Sequence, residues 1–419
     1  MSKVPETVKG TRDFLPEEKI FRDEVIGKIK LVFELYGFSP LETPVLESKE
    51  LLSGKDQYGD EALKLMYEFK DKAGRDLALR YDLTIPLARV VASNKDLPKP
   101  FKRYAIDRVW RYESPQKGRY REFYQCDVDI VGVASSLADA EIISCASDAL
   151  AVLGIKKFLF RVNSRKLMDE ILRNANVEEN KIVKTLRVID KLDKIGQQGV
   201  AKELRTFLSE ASTFGVLEAI KLKSDWNRLS SKVKASEETK KEIDEFIKYL
   251  EELGVKEYIF DLSLARGLDY YTGLVFEIDA GVGMSLGGGG RYEGLIERFS
   301  GEKISATGIT LGLERLMDIL KKSDKKTSSE IFVIPINTLK ASLQIVNKLR
   351  KGGINTDFDM LDRSISKNLD YVNKQNIPYA LFVGEKELGL GKVKLKNMKS
   401  GDEEFLSVDK VIDKLNYKK

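Results

Sequence analysis

The segment FKRYAIDRVWRYESPQKGRYREFYQCDVDIVG, residues 101–132, carries the strongest fold signal of the chain. It predicts two strands joined by a polar, basic loop that contains glycine. In the second strand, apolar residues such as Val128 and Ile130 alternate with polar ones, which is typical of a strand with one buried face. Arg111 follows the first strand, and its planar guanidinium group can hold two phosphate oxygens. This motif alone is equally consistent with a surface arginine on a hairpin.

Before this segment, the sequence predicts a helix, an extended stretch and a second hairpin. Residues 17–36 carry apolar side chains at helical spacing, and Gly37 follows where a helix commonly ends. The stretch FSPLETPVLE is extended, because its prolines belong at the edges or ends of strands. Residues 63–84 predict a hairpin whose polar turn runs from Lys72 to Asp76.

After residue 132, a helix at about 138–153 and the strand KFLFRVN are predicted. Residues 165–253 are rich in Lys and Glu at helical spacing, which indicates a helical insertion. Strand character returns at residues 258–279, followed by the glycine cluster GVGMSLGGGGRYEGL. A polar linker then leads to residues 330–419, where strands alternate with helices as in a small α/β domain.

The composition is that of a folded protein and excludes several kinds of chemistry. Of the 419 residues, 42% are hydrophobic and 33% charged, and the net charge of +5 suits a polyanionic partner without requiring one. The chain has two cysteines and no histidine, so the usual zinc ligand sets and histidine-dependent nucleophiles are excluded. Catalysis must therefore use arginine, carboxylates, tyrosine or a metal-bound substrate.

The sequence predicts a cytoplasmic protein with no membrane partner. No run of about 18 apolar residues occurs, as a transmembrane helix requires. The first residues, MSKVPETVKG, lack the apolar core of a signal peptide.

A second arginine motif, TGITLGLERL, occupies residues 307–316. Small residues precede a predicted helix, and Arg315 lies in its first turns. Gly308 and Gly312 permit the backbone to approach a ligand closely. The same glycines also fit a tight packing of strand against helix, and the motif alone does not decide between these roles.

Together, the two arginine motifs, a preceding long helix and a strand near Pro44 resemble motifs 2, 3 and 1 of the class II aminoacyl-tRNA synthetases. Longer strings narrow this resemblance. RGLDYYTG (266–273) and GGRYEGL (289–295) are similar to the two peptides peculiar to histidyl-tRNA synthetases, and KGTRDFLP and SPQKGRYREF also match. RYDLT and REFYQCD resemble the archaeal and eukaryotic variant, with Tyr112 and Tyr124 where bacterial members carry histidine.

The resemblance implies an α+β class II catalytic domain, with an antiparallel sheet flanked by helices. This domain comprises residues 1–164 and 254–322, interrupted by a helical insertion domain at 165–253, and an α/β anticodon-binding domain follows at 330–419. The implied reaction is ATP-dependent ligation of L-histidine to tRNA(His) through a histidyl-adenylate, releasing AMP and diphosphate, with Mg²⁺ present. The resemblance of the first motif also implies a homodimer with Pro44 at its interface.

The resemblance assigns the amino-acid site residue by residue. Asp82, Thr84 and Gln125 are expected to hold the α-amino group. Asp129 and Tyr271 are expected to reach the imidazole, whose one donor and one acceptor suit a carboxylate and a hydroxyl. The residues expected to line the pocket are Arg266, Tyr270 and Tyr292. Asp129 also fits an ordinary strand carboxylate, and the aromatic residues beside glycines also fit a core role.

Three arginines are implied as catalytic residues. Arg111 is expected on the α-phosphate of ATP, Arg315 on the γ-phosphate, and Arg266 as a fixed cation at the α-phosphate, since phosphoryl transfer depends on positioning and charge stabilisation. Glu113 is expected near the adenine. The residues expected at the tRNA acceptor end are Gln116, Lys117, Arg119 and Arg121. Lys117 and Arg121 also fit a solvated basic loop.

Two alternatives remain at this stage. One is a catalytically silent paralogue that regulates or senses, such as the regulatory subunit of ATP phosphoribosyltransferase or a domain that senses uncharged tRNA. Regulatory subunits of this kind typically lose the anticodon domain and parts of the histidine-specific peptides, which are intact here. The other is a different class II specificity, such as prolyl or threonyl, which would lack the RGLDYY and GGRYEGL strings.

Overall fold

The computed structural model describes residues 4–53, 64–116, 118–265 and 271–417. The chain divides into two compact units. The first is Met1–Arg12 with Val25–Leu320, and the second is Asp13–Glu24 with Lys321–Lys419. Within the described residues, no helix combines the length and the apolar character needed to cross a membrane.

Both units contain helices and strands. The helices are α1 (Pro16–Leu35), α2 (Lys49–Ser53), α3 (Thr84–Ser93), α4 (Leu137–Val152), α5 (Arg165–Asn174), α6 (Ile182–Ile189), α7 (Leu192–Leu204), α8 (Glu210–Ala219), α9 (Trp226–Ser230), α10 (Glu237–Glu252), α11 (Gly294–Ser300), α12 (Leu313–Ile319), α13 (Leu339–Lys351), α14 (Ile365–Lys374), α15 (Glu385–Gly389) and α16 (Val408–Asn416). The strands are β1 (Ser39–Pro40), β2 (Leu46–Ser48), β3 (Glu68–Lys70), β4 (Asp76–Leu79), β5 (Phe101–Trp110), β6 (Glu122–Val131), β7 (Leu159–Ser164), β8 (Lys223–Ser224), β9 (Tyr258–Asp261), β10 (Leu274–Asp279), β11 (Ser285–Tyr292), β12 (Ala306–Gly312), β13 (Ile331–Ile336), β14 (Thr356–Phe358), β15 (Tyr379–Gly384), β16 (Val393–Asn397) and β17 (Glu403–Leu406).

A nine-stranded sheet organises the first unit, in the order β1-β5-β6-β12-β11-β10-β7-β9-β8. Its six central strands, from β5 to β7, pair antiparallel, whereas β1 with β5 and β7 with β9 pair parallel. The hairpin expected at residues 101–132 is β5 and β6, in register from Phe101 with Val131 to Trp110 with Glu122. The expected α+β fold with an antiparallel sheet is therefore confirmed, with parallel pairing added outside its centre.

Strand β11 lies in the middle of this sheet although its sequence is SLGGGGRY. A Cβ atom on Gly289 would lie 2.0 Å from the carbonyl oxygen of Gly308, and one on Gly287 would lie 2.3 Å from that of Thr310. The four glycines therefore allow β11 to pair closely with β12 on one side and β10 on the other. The sequence indicated a glycine cluster here and did not predict a central strand.

The segment expected as a helical insertion contains helices α5 to α10 and one two-residue strand, β8. Ser164, Ser209 and Ser236 each accept a backbone N–H bond with their side chain, which caps α5, α8 and α10 at their N-termini. Strand β8 pairs antiparallel with β9 and so joins this segment to the large sheet. The helical content is as predicted, and its status as a separate domain stays a prediction.

The second unit contains a five-stranded sheet in the order β14-β13-β15-β16-β17. Strands β14, β13 and β15 pair parallel, and β16 and β17 are added antiparallel. Apolar side chains from β13, β15, α13 and α16 form a buried core against the sheet. The expected small α/β domain is confirmed.

Candidate active site

A cleft of about 1000 Å³ opens over strands β6, β11 and β12 of the first unit. It brings together most of the residues that the sequence assigned to histidine and ATP. The assigned residues that line it are Asp82, Thr84, Arg111, Glu113, Arg119, Gln125, Asp129, Tyr271, Tyr292 and Arg315. These side chains come from six separate stretches of the chain, so the shared cleft results from the fold and not from sequence proximity.

The floor of the cleft is a row of polar side chains on β6. Gln125, Asp127 and Asp129 alternate along the strand, line the cleft and are almost completely buried. Across the sheet, Asp127 faces Thr310 of β12 and Asp129 faces Gly308. The Nε2 group of Gln125 donates to the Thr310 hydroxyl at 3.3 Å.

Gly308 gives the Asp129 carboxylate its space. A Cβ atom at position 308 would lie 2.0 Å from Oδ1 of Asp129, nearer than any real contact between such atoms. This is a third role beside the two that the sequence left open for Gly308, close approach to a ligand and packing of strand against helix.

Both carboxylate oxygens of Asp129 are engaged. The hydroxyl of Tyr292 donates to Oδ1 at 2.6 Å, and the guanidinium of Arg103 lies 2.7 Å from Oδ2. Burial raises the pKa of Asp129, whereas the nearby Arg103 lowers it. Tyr292 is itself almost fully buried, and burial together with the Asp129 charge raises its pKa well above its usual value. Tyr292 therefore belongs both to the core and to the wall of the cleft.

The carboxylate of Asp82 stands at the start of helix α3. Its Oδ1 accepts the backbone N–H groups of Thr84 at 3.1 Å and Ile85 at 3.0 Å. This fixes the carboxylate next to Thr84 at the cleft, as an N-terminal cap does. Tyr271 also lines the cleft. A Cβ atom on Gly290 would lie 3.0 Å from the Tyr271 ring, so this glycine leaves space for the ring.

Arg111 is held in place by aromatic rings. Its Nε group donates to the carbonyl of Tyr81 at 3.1 Å, and its guanidinium carbon lies 4.2 Å from the Tyr81 ring centre and 5.2 Å from that of Phe123. Among the described residues, no acidic side chain forms an ion pair with it. The arrangement fixes the guanidinium and leaves its charge for an anionic ligand.

Arg315 reaches the same cleft from helix α12. Its Nη1 group donates to the carbonyl of Ser285 at 2.6 Å, which anchors it to β11. Glu113 and Arg119 also line the cleft and form an ion pair across 3.6 Å. The two arginines of the sequence motifs thus line one cavity from separate elements.

Arg119 lines the cleft, but two other residues of the loop between β5 and β6 that are expected to contact tRNA, Gln116 and Arg121, do not. Gln116 and Arg119 exchange backbone hydrogen bonds, and the exposed Gln116 does not line the cleft. The Nε group of Arg121 donates to the carbonyl of Glu113, and its guanidinium stacks 4.1 Å from the Tyr112 ring centre. Arg121 therefore braces the loop. Lys117, Arg266 and Tyr270 lie outside the described residues.

The structure adds residues that the sequence reasoning did not assign. Asp127 shares a strand face with Gln125 and Asp129, and this period of two was a signal for it. Arg103 is fully buried against Asp129, and nothing in the sequence indicated that pairing. The helical insertion also lines the cleft with basic side chains at near-helical spacing. These are Lys184, Arg187, Lys191 and Lys194.

Comparison with known proteins agrees with this site. The histidyl-tRNA synthetase family model matches residues 10–316, and the anticodon binding domain model matches residues 330–418. A histidine–tRNA ligase of Pyrococcus abyssi is 41% identical over 428 residues, covering 98% of each chain. A histidine–tRNA ligase of Aeropyrum pernix is 41% identical over 415 residues, covering 95% of this chain and 94% of the relative.

A solved structure extends the similarity to three dimensions. Histidyl-tRNA synthetase from Nostoc sp. PCC 7120 matches with a TM-score of 0.86 and 30% identity, and the match covers both chains completely. Sequence, fold and cleft thus agree over the catalytic and the anticodon-binding parts. The chain therefore belongs to the histidyl-tRNA synthetase family, and as a member it is a ligase that charges tRNA with histidine.

Proposed function

We propose that the cleft joins histidine to ATP as histidyl-adenylate and then transfers the histidyl group to tRNA(His). One observation carries this proposal: a floor of hydrogen-bond acceptors and two arginines from separate elements line the same cavity. Acceptors suit the ammonium and imidazole of histidine, and arginines suit the phosphates of ATP.

In the first step, a carboxylate oxygen of histidine attacks the α-phosphorus of ATP, and the bond to diphosphate breaks. No proton has to be removed from the attacking carboxylate, so the chain needs no imidazole base. Arg111 holds the α-phosphate and Arg315 the γ-phosphate, which bends the triphosphate for in-line attack. Arg266 would add a third fixed positive charge, as the family resemblance implies.

Mg²⁺ fits this site as a companion of ATP. Among the described residues, no group of three or more acidic or cysteine side chains is placed so that it could hold a metal ion. The carboxylates of Glu113 and Glu314 line the cleft and could supply one or two oxygens beside those of the phosphates, which is how Mg²⁺ is usually held. When bound, the ion would neutralise phosphate charge.

In the second step, the 3′-terminal ribose of tRNA takes the histidyl group and AMP leaves. We infer that a phosphate oxygen of the adenylate accepts the ribose proton, because the chain has no histidine. The basic side chains of the helical insertion and Arg119 line the cleft and suit the acceptor strand of the tRNA.

Gln116, Lys117 and Arg121 remain predicted contacts with tRNA. The division of the chain into four domain segments and a cytoplasmic location also remain predictions.

The catalytically silent alternative is not favoured. Such a paralogue would be expected to lose the anticodon domain, and the corresponding family model matches residues 330–418. It would also be free to lose the acceptors and arginines of the cleft, and among the described residues Asp82, Gln125, Asp129, Arg111 and Arg315 all line it.

Histidine-dependent exchange of pyrophosphate into ATP tests the first step. The intact chain should catalyse it, and Arg266→Ala should reduce it by roughly 100-fold, as the removal of one charge-stabilising group does. Arg228→Ala, at an exposed position, is the matched control and should keep the full rate. Absence of exchange in the intact chain would refute adenylate formation, and an undiminished rate in Arg266→Ala would remove that residue from the mechanism.

We also propose a homodimer that uses the region after Pro44. Strands β2 and β3 are the two edges of the three-stranded sheet β2-β4-β3. Leu46 on β2, Phe69 on β3 and Val45 immediately before β2 have exposed apolar side chains. Exposed apolar side chains at strand edges are typical of a protein interface. Light scattering should give twice the chain mass of 47.4 kDa.

Leu46→Glu should shift this mass toward one chain, because a buried unpaired charge destabilises an interface. Leu253→Glu, at a similarly exposed leucine of the helical insertion, is the control and should leave the mass unchanged. A single-chain mass for the intact protein at micromolar concentration would contradict the dimer.

A further inference from the structure

We propose that Asp127 helps to bind the substrate histidine by accepting a hydrogen bond from its α-ammonium group. Neither the sequence motifs nor the family resemblance assigned this residue a role. The inference rests on the proposed function, since it concerns the histidine site of the same cleft.

Two unpaired acceptors stand side by side on strand β6. Oδ1 of Asp127 and Oε1 of Gln125 are buried, and neither has a hydrogen-bond partner in the part of the chain that the structure describes. Both side chains line the cleft and lie two residues apart on one strand face. Because burying an unpaired acceptor costs free energy, two adjacent examples indicate a site that a ligand completes.

The charges around Asp127 favour a cationic ligand. Within the described ranges, Asp82, Asp127 and Asp129 place three buried carboxylates near one buried guanidinium, that of Arg103. The pKa of Asp127 is raised to about 7: burial has the largest effect and the charges of Asp129 and Asp82 add to it, whereas Arg103 and a hydrogen bond with Thr310 act in the opposite direction. A cation bound beside Asp127 would favour its ionised form and gain the full ionic interaction.

The ammonium group of histidine fits these acceptors better than the imidazole does. An ammonium has three N–H donors and no acceptor, whereas a neutral imidazole has one of each. Gln125 Oε1 and Asp127 Oδ1 provide acceptors for two of these donors, and the carboxylate of Asp82 lines the same cleft. At the other end of the row, Tyr292 and Arg103 already occupy the carboxylate of Asp129. The unpaired acceptors, Gln125 Oε1 and Asp127 Oδ1, therefore lie at the end of the row where we place the ammonium group.

Calorimetry with two histidine analogues, in the absence of ATP, separates the two ends. Histidinol keeps the ammonium and the imidazole, whereas 3-(imidazol-4-yl)propanoate lacks the ammonium. In Asp127→Asn, the affinity for histidinol should fall by roughly tenfold or more, the usual effect of losing a hydrogen bond between charged groups. The affinity for the propanoate should stay within about twofold.

Asp279→Asn is the matched control, because Asp279 lies on β10 of the same sheet and is absent from the lining of the cleft. It should change neither affinity. If Asp127→Asn binds histidinol as well as the intact chain, or loses both analogues equally, the proposal is wrong. Asp127→Ser removes the charge with a smaller side chain, and it must show the same selective loss if Asp127→Asn fails to fold.

Kinetics distinguish this proposal from the proposed function. In the pyrophosphate exchange assay, Asp127→Asn should raise KM for histidine and leave KM for ATP unchanged. An intact chain that binds histidinol but makes no adenylate would refute the proposed function alone. An active Asp127→Asn variant with an unchanged KM for histidine would refute the role of Asp127 alone.

Discussion

The cleft contains ionisable side chains at buried positions, where ionisation costs free energy. Asp127 is 1% exposed, and its pKa of about 7 lies well above the value of about 3.9 expected in the unfolded chain. A raised pKa in the folded state means that this residue supports stability below pH 4 and loses that support as the pH rises through 7. The site thus sacrifices stability for an ionised acceptor, as functional sites often do.

We therefore expect Asp127→Asn to be more stable than the intact chain at pH 8, and its advantage to be clearly smaller at pH 5. The amide removes the cost of ionising a buried group, and that cost grows between the unfolded and folded pKa values, so it is only partly present at pH 5 and fully present at pH 8. Thermal unfolding without ligand at both pH values measures this, and the difference at pH 8 should be a few degrees. A gain of equal size at both pH values, or the same gain in Asp279→Asn, would contradict the explanation.

Arg111 illustrates a residue whose shape matters as much as its charge. Lysine would keep the positive charge but lose the planar fork and the stacking on Tyr81 and Phe123. We expect Arg111→Lys to lower kcat/KM for ATP in the exchange assay by about 100-fold. Arg228→Lys should have no effect, and a comparable rate in Arg111→Lys would show that charge alone suffices.

Among the elements, β11 depends most on the absence of side chains. A methyl group on Gly289 would meet the backbone of β12, whereas one on Gly288 would have its nearest neighbour, the Phe276 carbonyl oxygen, 3.2 Å away. The same substitution at two adjacent positions therefore has different physical consequences.

We expect Gly289→Ala to unfold at a lower temperature than Gly288→Ala, by several degrees, and to lose soluble yield. Backbone atoms cannot move aside as a flexible side chain can, so the strand pair itself has to separate. Thermal unfolding of both variants beside the intact chain measures this effect. Equal melting temperatures for the two variants would mean that the sheet adapts to the added methyl group.

The elements also show how far the sequence predicts this structure. The helix expected at residues 17–36 is observed at Pro16–Leu35, and the hairpin at 101–132 has its strands where alternation placed them. These signals are local. Strand β11 was not predicted, because glycines are uncommon in a strand. They are needed here for the close approach of the neighbouring strands, which the local sequence does not reveal. The burial of Arg103 against Asp129 likewise depends on the register between β5 and β6.

For the site, motif resemblance supplied residues that the fold brings into one cleft, and it passed over Asp127, which stands between two of them. The row Gln125, Asp127 and Asp129 was readable from the period of a strand. The basic wall from the helical insertion was not, because it required knowing which face of those helices turns to the cleft.

At the scale of the whole molecule, we expect the two steps of the reaction to differ in their dependence on salt concentration. The chain carries a net charge of +5, and tRNA is a polyanion whose binding releases counterions. We expect KM for tRNA to rise steeply as potassium chloride is increased in the charging assay, while KM for histidine in the exchange assay changes little. Similar salt dependence for both substrates would argue against a mainly electrostatic contact with tRNA.

The complete absence of histidine from the chain has a spectroscopic consequence. In a complex with isotope-labelled histidine, every imidazole resonance would belong to the substrate, without any background from the protein. The tautomer and protonation state of the bound ring could then be followed by NMR through a pH titration. Few enzymes allow the ionisation of a substrate to be observed against a protein that has no group of the same kind.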